Sequence, residues 1–218
     1  MKYVDIHTHN NSKDENVISL INFDLQDFQS FTFLADNYYT TGLHPWYLNE
    51  YQTNTMSVLK EIVIENKIIA IGECGLDKIC KTPIEKQISS FLEQIKISEK
   101  YSKPLIIHVV KAYDLLLNIH KNVKPKQHWI IHGFQGNVTL ALQLQSRGML
   151  LSFGNALLSQ QNVQKTFTEI AKNMFFLETD NSKVKILDIY DKAADLLHIT
   201  KEELKEKLFF QFQKIFIK

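Results

Sequence analysis

Five of the eight histidines of this 218-residue chain stand in short, chemically suggestive motifs. They are Asp5-Ile6-His7-Thr8-His9, Gly42-Leu43-His44-Pro45-Trp46, Ile106-Ile107-His108 and Ile130-Ile131-His132-Gly133-Phe134. Two carboxylates belong with them: Glu73, in Gly72-Glu73-Cys74-Gly75-Leu76-Asp77, and Asp180, in Leu177-Glu178-Thr179-Asp180. Imidazole nitrogen and carboxylate oxygen are ligands that suit Zn²⁺ or Mn²⁺, allow Mg²⁺ less comfortably and disfavour calcium. His7 and His9 lie two residues apart, so on a strand both rings leave the same side and reach one ion. A lone histidine at a strand end is more often a satisfied core residue. Recurrence of the pattern reverses that reading. His7, His9, His108 and His132 with Glu73 and Asp180 are too many for one ion, because zinc takes about four protein donors in a structural site and about three in a catalytic one. Two ions ~3.5–4 Å apart that share a carboxylate fit the count. Such a pair does hydrolysis: it lowers the pKa of bound water to about 7 and polarises the oxygen of the bond to be cut. His44, on the rim, either donates to a substrate oxygen or packs on Pro45 and Trp46. His120, His128 and His198 fall in helical patterns or at a strand start and are expected to be structural or on the surface.

Positioning these residues requires strands. Eight short apolar runs cover residues 3–7, 17–21, 39–42, 68–72, 105–108, 128–132, 149–153 and 175–178. They are continuous rather than alternating, as buried parallel strands are. Every candidate ligand ends or follows such a run. In a parallel barrel the C-terminal strand ends surround one mouth, where the chemistry of such folds sits. The expected class is therefore α/β, a (β/α)8 TIM barrel. Helical stripes support it. Ile84, Ile88, Phe91, Leu92 and Ile95 follow Thr82-Pro83-Ile84-Glu85, which reads as a capping box with proline at the first helical position. Leu204, Leu208, Phe212, Ile215 and Phe216 follow Thr200 and Glu203, which cap in the same way. The chain is short for this fold, at about 27 residues per unit against a typical ~250 in total. Residues 8–16 are too few for a helical crossover, so the barrel is expected to be shortened or distorted in its first units. A doubly wound open sheet is the alternative, but no GxGxxG or GxxxxGK[ST] supplies its ligand site.

Composition narrows the class. Charged residues make up 22% and hydrophobic ones 44%, with 25 Lys+Arg against 24 Asp+Glu. This describes one globular domain, 1–218, and excludes wholesale disorder. Cys74 and Cys80 form no CxxC and suit a reducing cytosol. No apolar run approaches the ~18 residues that span a membrane. A cytoplasmic monomer without membrane contact is expected. The net charge of +1 argues against broad electrostatic binding of nucleic acid. Arg147 is the single arginine in the chain, so phosphate must be gripped with almost no guanidinium forks.

Taken together, DIHTH, GLHPW, GECGLD, IIH, IIHGF and ETD resemble, in that order, the TatD family of metal-dependent hydrolases among the amidohydrolase-like barrels. DxHxH alone is weak, whereas GxHPW followed by GExGLD is specific; Gln87 and Phe91 also resemble the family's following helix. The resemblance implies that His7, His9 and Asp180 hold one ion, that Glu73 bridges, and that His108 and His132 complete the second site. It further implies that Asp180 orients and deprotonates the attacking water, which makes Asp180 and Glu73 the catalytic pair. The implied activity is two-metal phosphodiester hydrolysis by a TatD-like deoxyribonuclease acting on DNA ends or short oligonucleotides. His44, Trp46 and Lys111 are the expected substrate contacts. The alternative is a metallohydrolase of another ester or amide, or a phosphomonoesterase of PHP type. There are departures. Val110 stands where the family tends to have arginine, with Lys111 next; Asn181-Ser182 follow ETD in place of a small residue and proline; Gln211 precedes Phe212 in the last helix.

Overall fold

The structure, a computed structural model, describes residues 1–10, 14–30, 32–34 and 37–217. Eight strands follow in chain order: β1 (Tyr3–Thr8), β2 (Val17–Asn22), β3 (Tyr38–Thr41), β4 (Ile68–Asp77), β5 (Leu105–Val110), β6 (Trp129–Ile131), β7 (Leu150–Phe153) and β8 (Phe175–Leu177). The helices are α1 (Thr55–Ile62), α2 (Ile84–Tyr101), α3 (Tyr113–Val123), α4 (Val138–Gln145), α5 (Ala156–Ser159), α6 (Gln161–Ile170), α7 (Ile186–Leu197) and α8 (Lys201–Phe216). Sheet order is the chain order, β1 to β8. The first and last strands also meet: Asp180 donates its N–H to the His7 carbonyl at 2.9 Å, and His9 donates to the Asp180 carbonyl at 3.2 Å. This is the (β/α)8 order expected from the apolar runs. The shortening also falls where expected. Among the described residues no helix separates β1 from β2, and a 3-10 turn (Leu25–Ser30) stands between β2 and β3.

The chain divides into two compact units, one of Met1–Ile21 with Ile130–Lys218 and one of Asn22–Trp129. In the first, β1 and β2 pair in parallel from Tyr3↔Val17 onward. Buried Tyr190 on α7 locks β1 to the helical layer: its hydroxyl donates to the Val4 carbonyl and accepts the Val4 N–H, both at 3.1 Å. Phe153, Phe167 and Phe175 pack edge to face with centroids 5.2 and 4.9 Å apart, joining β7, α6 and β8. Helix α8 begins as expected. Glu203 N–H donates to the Thr200 hydroxyl at 3.2 Å, and the Glu203 carboxylate accepts the Thr200 N–H at 2.7 Å, a cap worth about 1 kcal/mol.

In the second unit the structure extends one strand. β4 was expected to end at Gly72 and instead runs through the whole GECGLD motif to Asp77, buried throughout. Its pairing with β5 shifts between Ile71↔Leu105 and Cys74↔Ile107, three residues against two. That is a bulge, which re-aims the residues after it. Only glycine tolerates it. Gly72 and Gly75 have φ +151 and +139, and a Cβ on Gly75 would run into the His108 carbonyl. Glu73, within the bulge, and Asp77, beyond it, both reach the His108 ring. Cys74 is fully buried, with burial pushing its thiol pKa well up.

The expected capping box at Thr82 does not form. Helix α2 starts one residue later, with Pro83 at the N-cap position and no side-chain cap. The Thr82 carbonyl is taken by the Gln87 amide at 2.7 Å, and the same amide donates to the Asp77 carbonyl at 2.9 Å while its oxygen accepts the Asp77 N–H at 2.7 Å. Gln87 thus ties α2 to the end of β4, while the Thr82 hydroxyl donates to the Trp46 carbonyl at 3.5 Å in place of capping the helix. Among the described residues no helix is long and apolar enough to cross a membrane.

Candidate metal centre

The first unit places His7 at the end of β1, His9 just beyond it and Asp180 just beyond β8. His7 Nε2 and His9 Nε2 each lie 3.6 Å from Asp180 Oδ1. This is too long for a hydrogen bond. It is the spacing of donors around one ion, since bonds of about 2.1 Å at tetrahedral angles set their ends about 3.4 Å apart. The donor set therefore fits a divalent metal. Asp180 sits at φ +51, in the left-handed region that aspartate tolerates better than most residues. Its two backbone bonds to His7 and His9 hold it there. His132, following β6, has its ring 4.4 Å from that of His7. Its Nδ1 is 3.3 Å from Glu178 Oε1, which also accepts the Gly133 N–H at 2.6 Å. Buried Glu178 so orients His132 and leaves Nε2 to act. Beneath them Asp5 accepts the Thr179 hydroxyl at 2.6 Å and the Thr179 N–H at 3.0 Å. Burial pushes its carboxyl up to about 7 against the pull of those two bonds.

The second unit gathers His44, Glu73 and His108, whose donor atoms lie within 4.8 Å of one another. His44 Nε2 is 3.0 Å and His108 Nδ1 2.8 Å from the same oxygen, Glu73 Oε1. Asp77 Oδ2 lies 3.2 Å from His108 Nε2 and accepts the Trp46 indole N–H at 2.6 Å. Burial acts to raise the Asp77 pKa. The bonds from Trp46 and the Ile79 N–H and the neighbouring His108 outweigh it and hold the carboxyl below its usual range. Buried Gln94 on α2 fixes the segment before His44: its oxygen accepts the Leu43 N–H at 2.8 Å and its amide donates to the Leu43 carbonyl at 3.1 Å.

Residues 4–217 match the family described as TatD related DNase. The chain belongs to that family, one of metal-dependent hydrolases. Over 166 residues it is 28% identical to the uncharacterized metal-dependent hydrolase YjjV of Escherichia coli strain K12, covering 71% of this chain and 63% of YjjV. It is 26% identical over 147 residues to a 3'-5' ssDNA/RNA exonuclease TatD of Erwinia tasmaniensis, covering 65% of this chain and 56% of that protein. These alignments span about six-tenths of the curated relatives' length. The crystal structure of YjjV superposes with TM-score 0.84 over 98% of this chain and 97% of YjjV, at 18% identity. A TatD family hydrolase from Entamoeba histolytica superposes with TM-score 0.79 over 100% and 98%, at 17% identity. At these identities the superpositions speak for the fold.

Within the TatD-related frame, the motif acids that sequence reasoning left without a role support the candidate ligands, two of them by facing histidine rings. Asp77, in GECGLD, faces His108; Glu178, in ETD, faces His132; Asp5, in DIHTH, holds Thr179. Their signal was present, because each stands two to four residues from a candidate ligand inside a motif already recognised. Of the expected substrate contacts, Trp46 is half exposed on the rim of the second unit, 5.7 Å from the His108 ring. Lys111 follows β5, exposed, at φ +50. Val110, where the family tends to have arginine, is the last residue of β5.

Proposed function

We propose that this protein is a two-metal phosphodiesterase of the TatD type, acting on DNA ends or short oligonucleotides. The observation that carries the reading is the set His7, His9 and Asp180, with both imidazoles 3.6 Å from one carboxylate oxygen. Those three residues would hold one ion. On the family pattern Glu73 would be shared, and His108 and His132 would serve the second. Zinc or manganese suits the nitrogen-rich set better than magnesium. Divalent ions supply Lewis acidity, activating water and polarising the phosphoryl oxygen. Asp180, fixed by its backbone bonds, orients the attacking water and takes its proton. Glu178 and Asp77 fix the rings of His132 and His108. His44 donates to the substrate, the open face of Trp46 offers a stacking surface worth ~1–3 kcal/mol per base, and Lys111 lends a point charge.

Short or end-bound substrates fit this chain better than long duplex. Arginine forks are missing from the periphery, and the recess beside Asp180 is small and polar. It has about 280 Å³ and is lined by Gly133, Gln135, Asn155, Glu178 and Asn181 among others. The test is incubation of metal-loaded protein with single- and double-stranded oligonucleotides labelled at the 3′ or the 5′ end. Release of labelled nucleotides from one end supports the reading and reports polarity. Turnover of phosphomonoesters with none of oligonucleotides replaces it with the phosphatase alternative.

A further inference from the structure

We propose that His44 is a neutral imidazole locked in its Nε2–H tautomer, a hydrogen-bond donor at the edge of the metal centre rather than one of its ligands. Position alone does not separate it from Glu73 and His108, since all three offer donor atoms within 4.8 Å. Counting hydrogens does. Neutral imidazole has one N–H and one lone pair. The backbone N–H of Trp46 can only donate, and it donates to His44 Nδ1 at 3.1 Å. The ring's lone pair is committed there, so the proton is on Nε2. With Nε2 3.0 Å from Glu73 Oε1, that proton makes an ordinary N–H···O bond. Protonating Nδ1 as well would set its hydrogen against the Trp46 N–H. Flipping the ring would put a C–H in the same place. The backbone that imposes this arrangement is stiff: Gln94 clamps Leu43 on one side, and Pro45 opens a 3-10 turn (Pro45–Tyr47) on the other.

His108 lacks such a constraint. Both of its nitrogens face carboxylate oxygens, Nε2 at 3.2 Å from Asp77 Oδ2 and Nδ1 at 2.8 Å from Glu73 Oε1, so either can carry the proton and either can present a lone pair. His44 is built as a donor alone. Its acceptor is Glu73 while no substrate is present, and a phosphoryl oxygen when one reaches Nε2. Only the identity of that second acceptor rests on the phosphodiesterase reading; the tautomer does not.

Two experiments on the full chain decide it. Long-range proton–nitrogen NMR of the imidazoles at neutral pH, with and without Zn²⁺, is expected to show the Nε2–H tautomer at His44 in both states. An Nδ1–H tautomer, a doubly protonated ring or a zinc-shifted Nε2 overturns the proposal. The second uses two amide replacements. His44→Asn keeps an acceptor for the Trp46 N–H and loses the donor; His44→Gln keeps a donor near the Nε2 position. Asn at this position is expected to bind as many zinc ions as wild type with unaltered affinity. Its kcat on bis(p-nitrophenyl) phosphate falls by about 10²–10³-fold, the usual cost of one oriented donor, and His44→Gln recovers part of the loss. Loss of one zinc equivalent, or of about 10-fold or more in affinity, marks His44 as a ligand and overturns the proposal. If wild type cuts no phosphodiester, the functional reading fails, and the NMR tautomer and the zinc count still decide His44. The wild-type spectrum also keeps the question decidable if a variant does not fold.

Discussion

The two compact units prepare their candidate ligands in different ways. In the first, His7, His9 and Asp180 stand apart at 3.6 Å, a spacing that an ion between them satisfies. In the second, two rings already lie at 2.8 and 3.0 Å from one oxygen of Glu73, with a further acceptor or donor on the far nitrogen of each ring. The first unit offers a socket whose carboxylate is held by backbone bonds. The second offers a cluster already at hydrogen-bonding distances. Lone-pair bookkeeping therefore says most about roles in the second unit, and donor spacing says most in the first.

The comparison breaks most completely at Glu73. Glu73→Ala removes the oxygen that both rings of the second unit address. Phosphodiesterase activity is expected to vanish while circular dichroism stays unchanged. Full activity in the metal-replete variant would falsify the two-metal assignment. Next comes Asp180→Asn. Asparagine tolerates the same left-handed backbone, so the fold is expected to persist. Turnover falls about 10²–10⁴-fold, the range for a lost general base, and metal analysis reads weaker retention of one ion. Retention of both ions at wild-type affinity would show that the 3.6 Å spacing is not a socket.

A smaller effect is expected from the acids that orient the rings. Asp77→Asn and Glu178→Gln should each weaken metal affinity by about 10–100-fold, measured by competition with a chromophoric chelator. Equal losses would mean that both units depend on ring orientation to the same degree. A loss confined to Asp77→Asn would confine that dependence to the hydrogen-bonded cluster.

The smallest effect lies away from either cluster. Lys103, after α2, donates to the carbonyls of Ile68 and Glu65, and burial pushes its pKa down to about 8. The folded chain sheds this proton before the unfolded one does. The penalty for holding the charge is then fully present below pH about 8 and relieved as pH rises toward the unfolded value of ~10.4. Melting temperature should therefore rise slightly more between neutral and alkaline pH in wild type than in Lys103→Gln. An identical pH dependence in the two proteins would show that Lys103 does not carry this linkage.

Much of this was legible from the chain. Buried parallel strands write themselves as continuous apolar runs, and all eight runs became strands. Four of the six ligand candidates were visible because an imidazole at the end of an apolar run has little reason to be there. The extent of β4 was not legible, because Gly72 and Gly75 read locally as terminators. Whether a glycine ends a strand or lets it bulge depends on the neighbour it must pass, here β5. Thr82 was misread for a similar reason. A capping box is a local pattern, whereas the Thr82 hydroxyl turns to the carbonyl of Trp46, 36 residues away along the chain. The shortened first units, in contrast, followed from counting residues 8–16.

Residue types and their order along the chain determined the family, the strand sequence and the list of atoms able to bind a metal, since these depend only on composition and on spacing along one strand. The tertiary structure decided what each of these rings faces: the Trp46 N–H for His44, Asp77 for His108 and Glu178 for His132. Two of those partners come from 31 and 46 residues away. Imidazole has one proton to place between two nitrogens, and only a folded chain brings up the second partner that places it.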